Sequence, residues 1–167
     1  MKQNSILNWL IPLIAVLAII TAGVGLFSQG GNGPFQFTTV YGNTVEIYGQ
    51  GIYRHDSSFV AALFKGTDVV TLFVGIPLLL VGYLFYRRNS LRGSIFLIGI
   101  LLYFLYIGVT YTFSAIFNSL FLVYTALFSA ALFATILALT TFDTQHLTDK
   151  VNSGMPHRGL AIFMFVA

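Results

Sequence analysis

The sequence predicts an all-α transmembrane fold. It reads as a four-helix membrane bundle with an extracytoplasmic β-hairpin segment between helices 1 and 2, and a truncated fifth helix at the C-terminus. Three observations lead there. Of 167 residues, 57% are hydrophobic and 8% are charged, against roughly 25% charged residues in a soluble domain. Four apolar runs are each long enough to cross about 30 Å of hydrocarbon. The basic residues gather at one set of run ends, as the positive-inside bias requires.

The stretch KGTDVVTLFVGIPLLLVGYLFYRRNSLR, Lys65 to Arg92, organises the rest. As a helix, Gly66 to Phe85 is about 30 Å long, the thickness of a bilayer core. Asp68 stands at one end, and Arg87, Arg88 and Arg92 follow the other. The arginines are expected in the cytoplasm. Lys2, Lys150 and Arg158 fall on that side too, leaving Arg54 and Lys65 outside. This fixes a cell-membrane, multi-pass topology with the N-terminus cytoplasmic.

Composition also excludes. The formal charge of +3 does not indicate nucleic acid, because the basic residues sit at helix ends and not on one face. There is no cysteine, which removes disulfide scaffolds, thiolate metal sites and thiol redox chemistry, including the quinone-coupled disulfide-forming membrane enzymes.

The whole chain, 1–167, reads as a single integral membrane domain. The first span is assigned to 9–27, with Trp9 as an interfacial anchor and Pro12 in the first turn, where a missing N–H costs little. It reads as a retained helix and not as a cleaved signal peptide. Ala15, Ala18, Ala22 and Gly25 form a small-residue stripe along it.

Residues 28–65 form an outer β-rich segment. Phe35–Tyr41 and Thr44–Tyr53 are rich in β-branched and aromatic residues, and Gly42-Asn43 between them suggests a two-residue turn. That register pairs Tyr41 with Thr44, Val40 with Val45 and Thr39 with Glu46, with a kink near Gly49 and Gly51. Asp56 or Ser57 then caps a short helix ending at Lys65, with Phe59, Leu63 and Phe64 as its apolar side. Gly66 is expected to break it and Thr67 to cap the second span, 66–85. Pro77 is expected to bend that span near Phe73.

Asn89 and Ser90 make a tight turn into the third span, 94–113. The fourth span covers 120–139 and repeats Ala126, Ala130, Ala134 and Ala138, a second small-residue stripe. The polar stretch 140–158 is expected to be cytoplasmic. Gly159–Ala167 opens a fifth helix, so the chain is expected to be a piece of a longer one.

Asp68 is the leading candidate for a functional or structural site, with Lys65, Arg54 or Tyr111 as its partner. The simpler reading makes it a first-turn acid beneath the Thr67 cap. Arg54, His55 and Asp56 could bind an anion or a metal, or could simply be a solvated loop. Tyr103, Tyr106, Thr110 and Ser114 make a polar strip on the third helix, which could line a cavity or join helices. Asp143, His146 and Asp149 share a helical spacing, with His157 nearby, but carry no metal-ligand signature. No catalytic residue, metal or cofactor is expected. The expected partners are the lipid bilayer and another membrane subunit or a second copy, met through the small-residue stripes.

This layout of one helix, a β-rich outer segment and three closely linked helices resembles claudin-like four-helix proteins. It lacks the tryptophans and cysteine pair of their outer loop, and a likeness of layout transfers no function. The sequence therefore favours a non-enzymatic transport, assembly or sensing component. The alternative is a membrane-embedded enzyme acting on a lipid or other apolar substrate, using Asp68 and Arg54–Asp56 at the outer interface.

Overall fold

The structure, a computed structural model, describes residues 4–141. The stretch 140–158, beyond its first two residues, and the expected fifth helix lie outside them, as do Asp143, His146, Asp149 and His157. Helix α1 covers Ser5–Phe27, followed by the strands β1 (Phe35–Thr38) and β2 (Thr44–Ile47). Helices α2 (Ser58–Arg87), α3 (Leu91–Ser114) and α4 (Phe121–Thr140) complete the described residues. All four helices are long and apolar enough to cross a membrane.

Helix α1 starts earlier than the sequence suggests. Asn4 caps it, its side chain accepting from the Ile6 N–H at 2.9 Å. Pro12 therefore lies inside the helix and not in its first turn. The Asn4 N–H also donates to the Tyr86 hydroxyl at 3.1 Å, which places the start of α1 beside the end of α2.

The largest correction concerns α2. Gly66 does not break it and Thr67 does not cap it: Ser57 caps the helix by accepting from the Val60 N–H, and the helix runs on to Arg87. The Thr67 hydroxyl instead bonds the Leu63 carbonyl at 2.9 Å. A single glycine costs a helix only about 1 kcal/mol, and packing of Ala61, Phe64 and Asp68 on either side of Gly66 holds the helix through it. Phe64 faces the core while Phe59 and Leu63 are exposed, so the three do not form one apolar side. Pro77 exerts its effect as a π-helical segment at Thr71–Gly75, where the Ile76 N–H reaches back to the Thr71 carbonyl.

The hairpin forms, three residues out of the expected register. Phe35 pairs with Ile47, Gln36 with Glu46, Phe37 with Val45 and Thr38 with Thr44. The Gly42 N–H donates to the Thr39 carbonyl at 2.9 Å and Gly42 takes φ +82°. A tight turn closed by a left-handed glycine replaces the two-residue turn. Positive φ at Gly49 and Gly51 supplies the expected kink.

In the bundle, α1 touches α2 and α4, while α3 touches α2 and α4. Leu7, Ile11, Ile14, Leu79, Leu101, Phe104 and Leu127 are fully or almost fully buried among them. The α1 stripe is buried throughout, and Ala130, Ala134 and Ala138 are buried on α4. Ala126 is exposed, and Ala131 takes its place in the buried stripe. Small residues on two touching helices allow close approach. The stripes thus pack within this chain.

Candidate functional site: the buried Asp68 carboxyl

Asp68 lies about a third of the way along the 30-residue helix α2 and is 0% exposed. Each carboxyl oxygen accepts a tyrosine hydroxyl: Tyr53 donates to Oδ2 at 2.8 Å and Tyr111 to Oδ1 at 2.6 Å. Tyr53 comes from the loop after β2 and Tyr111 from α3, so one side chain joins the loop to two helices. Burying a carboxyl demands such partners, since an unpaired one is expensive.

The surroundings are aromatic and small. Tyr53 stacks on Phe64 at 5.3 Å, Phe64 meets Tyr111 at 5.2 Å, and Tyr111 stacks on Tyr124 of α4 at 5.1 Å. Gly25 of α1 closes the fourth side, its missing side chain leaving room for the carboxyl. All four helices therefore meet at this group. Burial, then Tyr111 and Asp68, push the Tyr53 phenol above its ordinary range, so its hydroxyl stays protonated and donates. The buried Tyr124 Oη and Thr21 Oγ1 make no hydrogen bond among the described residues.

Tyr111 is thus the hydrogen-bonding partner expected for Asp68, whereas Lys65 and Arg54 make no hydrogen bond or ion pair to it. Lys65 donates to the Tyr48 hydroxyl and sits 4.7 Å from that ring's centroid, fixing the end of the hairpin to α2. The simpler reading, a first-turn acid beneath a Thr67 cap, fails because the helix begins ten residues earlier.

Asp56 diverges from Arg54 and His55. Asp56 is buried and accepts the Ile116 N–H at 3.1 Å, tying the loop to the α3–α4 connection. Burial raises its carboxyl above the ordinary range, against the opposing pull of the Ile116 N–H and His55. Arg54 and His55 are exposed, with Arg54 Nε donating to His55 Nε2 at 3.1 Å.

The α3 strip also divides. The Tyr103 and Thr71 hydroxyls bond at 2.9 Å, joining α3 to the π-helical segment of α2. Tyr106 is 66% exposed, Thr110 bonds back to the Tyr106 carbonyl and Ser114 is exposed. Tyr103 and Tyr106 line one cavity of about 450 Å³, with Leu63, Thr67 and Val70 of α2, while Thr110 and Ser114 lie outside it.

Sequence reasoning missed Tyr53, Tyr124 and Gly25. In the sequence Gly25 is one more member of a small-residue stripe, and only the neighbouring carboxyl gives it a separate role. Nothing in the local sequence sets Tyr53 apart from the other tyrosines of the loop.

No protein-family model, curated protein or solved structure matches this chain. The likeness to claudin-like proteins therefore rests on element order alone.

Proposed function

We propose that this chain is a non-enzymatic multi-pass membrane protein, an assembly, transport or sensing component that holds a folded extracytoplasmic segment in a fixed pose on a four-helix bundle. The observation that carries this reading is the Asp68 carboxyl, sealed from solvent with both oxygens occupied by tyrosines from the loop and from α3. A catalytic carboxyl has to reach a substrate. A positioning carboxyl has to be enclosed and partnered, as this one is.

Four helices of sufficient length and apolarity support the placement in a bilayer. So do the large apolar side chains on their outer faces, such as Leu13, Phe73, Leu80, Leu102 and Phe133. In this reading Arg87, Arg88 and Arg92 face the cytoplasm, as does the N-terminus, and the hairpin lies outside. Phe35 and Phe37 share the hairpin face with Val45 and Ile47 and are about half exposed. Assembly with a partner would use such a surface, because the small-residue stripes are already packed inside the chain. The enzymatic alternative has less support, since Asp68 is enclosed and Asp56 turns inward, away from the exposed Arg54 and His55.

The test is accessibility. The chain has no cysteine, so Asn43→Cys and Asn89→Cys can each be probed with an impermeant thiol reagent in intact cells. Labelling of Asn43→Cys alone supports the reading, and labelling of Asn89→Cys alone overturns its orientation.

A further inference from the structure

Among the described residues Arg54 makes no ion pair, and its one side-chain hydrogen bond, from Nε to His55 Nε2, leaves both terminal nitrogens of the guanidinium uncommitted. The two side chains line a cleft of about 330 Å³ between the end of α1 and the α3–α4 connection.

The lining of that cleft is selective. It contains no carboxylate. Asp56, the neighbouring acid in sequence, turns inward to the Ile116 N–H. Ser28 Oγ accepts the Ile52 N–H at 2.8 Å, which leaves its own proton free to donate into the cleft. Gln29 and Ser119 add further side-chain donors that have no hydrogen-bond partner among the described residues. Val24 and the 76%-exposed Phe117 give the same cleft an apolar edge beside the outer faces of the helices.

We propose that this cleft binds a phosphate group, a phosphomonoester or phosphodiester, with Arg54 as its anchor. A guanidinium fork with several hydroxyl and amide donors matches the several oxygens of a phosphate. A lone positive charge without a counter-charge leaves the site electrostatically complementary to an anion. Two sources share this chemistry: a phospholipid headgroup, whose chains would follow the apolar edge, and free phosphate. Only the first rests on the bilayer placement proposed above.

The test uses the full chain purified in a mild detergent. Native mass spectrometry measures retention of phosphatidylglycerol against a diacyl glycolipid with no phosphate. Thermal unfolding is measured in parallel with and without inorganic phosphate. Each is done for wild type, Arg54→Gln, Arg54→Lys and the distant control Arg92→Gln. A lipid site predicts selective retention of phosphatidylglycerol that falls about tenfold in Arg54→Gln, less in Arg54→Lys, and not at all in Arg92→Gln. A site for free phosphate predicts no lipid selectivity, but stabilisation by inorganic phosphate that Arg54→Gln abolishes. Equal behaviour of wild type and Arg54→Gln in both measurements overturns the proposal. If the thiol labelling reverses while the phosphate effect survives, the topology fails and the site stands.

Discussion

Gly25 of α1 faces the Asp68 carboxyl of α2 across a space that admits no side chain. A Cβ at position 25 would stand 2.7 Å from Asp68 Cγ and 2.7 Å from Tyr53 Oη. Helix α1 thereby closes the one side of the carboxyl that α2, α3 and the loop leave uncovered.

Gly25→Ala therefore forces the carboxyl or the tyrosine to move. We expect a loss of about 1–3 kcal/mol from overpacking, read as unfolding in detergent. Gly23, two residues earlier, has nothing within 4 Å of its Cβ position. Gly23→Ala should be neutral or stabilising by up to about 1 kcal/mol, as alanine favours helix. Equal effects of the two changes would contradict the close approach at Gly25.

The two tyrosines act through one carboxyl, so their contributions should not be independent. Tyr111→Phe and Tyr53→Phe should each cost about 1–3 kcal/mol by leaving part of a buried carboxyl unpaired. Double-mutant cycles with Asp68→Asn should show coupling of about 0.5 kcal/mol or more. The exposed Tyr106 provides the comparison, and Tyr106→Phe should stay within about 0.5 kcal/mol.

Much of the fold was legible in the residues, and the exceptions have particular causes. The four apolar runs gave four helices because twenty consecutive apolar residues leave few alternatives. The α2 start was misplaced because Gly66 and Thr67 look like a stop and a cap, while the contacts holding Phe64 and Asp68 are distant in sequence. Hairpin register slipped because Gly42 can serve either as the first residue of a two-residue turn or as the left-handed residue after a longer one. Asp68 and its Tyr111 partner could be anticipated from a lone acid beside an apolar run. Tyr53 could not, since only the folded loop carries its hydroxyl to the carboxyl.

Asp56 should give a pH signature. Its folded carboxyl is raised above the ordinary 3.8, chiefly by burial, so the folded state holds the proton more tightly than the unfolded chain. The stability this contributes is present below the unfolded value and is lost as pH rises through the folded one. Wild type should therefore lose stability relative to Asp56→Asn as pH rises from about 4, the unfolded value, through the raised folded one. Asparagine still offers an oxygen to the Ile116 N–H, so the comparison isolates the charge. Parallel profiles for the two proteins would contradict a raised carboxyl at position 56.

The central claim is that the buried Asp68 carboxyl fastens the segment between α1 and α2 to the helices. Hydrogen exchange of that segment in wild type and Tyr53→Phe, both in detergent or nanodiscs, tests it most directly. The reporting amides are those of Tyr48, Gly49, Gly51 and Ile52, which donate to Asp56, Arg54, Gly30 and Ser28. Removing the Tyr53 hydroxyl should speed their exchange by about tenfold or more, the equivalent of about 1.4 kcal/mol, while the amides of α4 keep their protection. Unchanged exchange at all four loop amides would mean that the Tyr53–Asp68 bond fastens nothing, and the claim would fall.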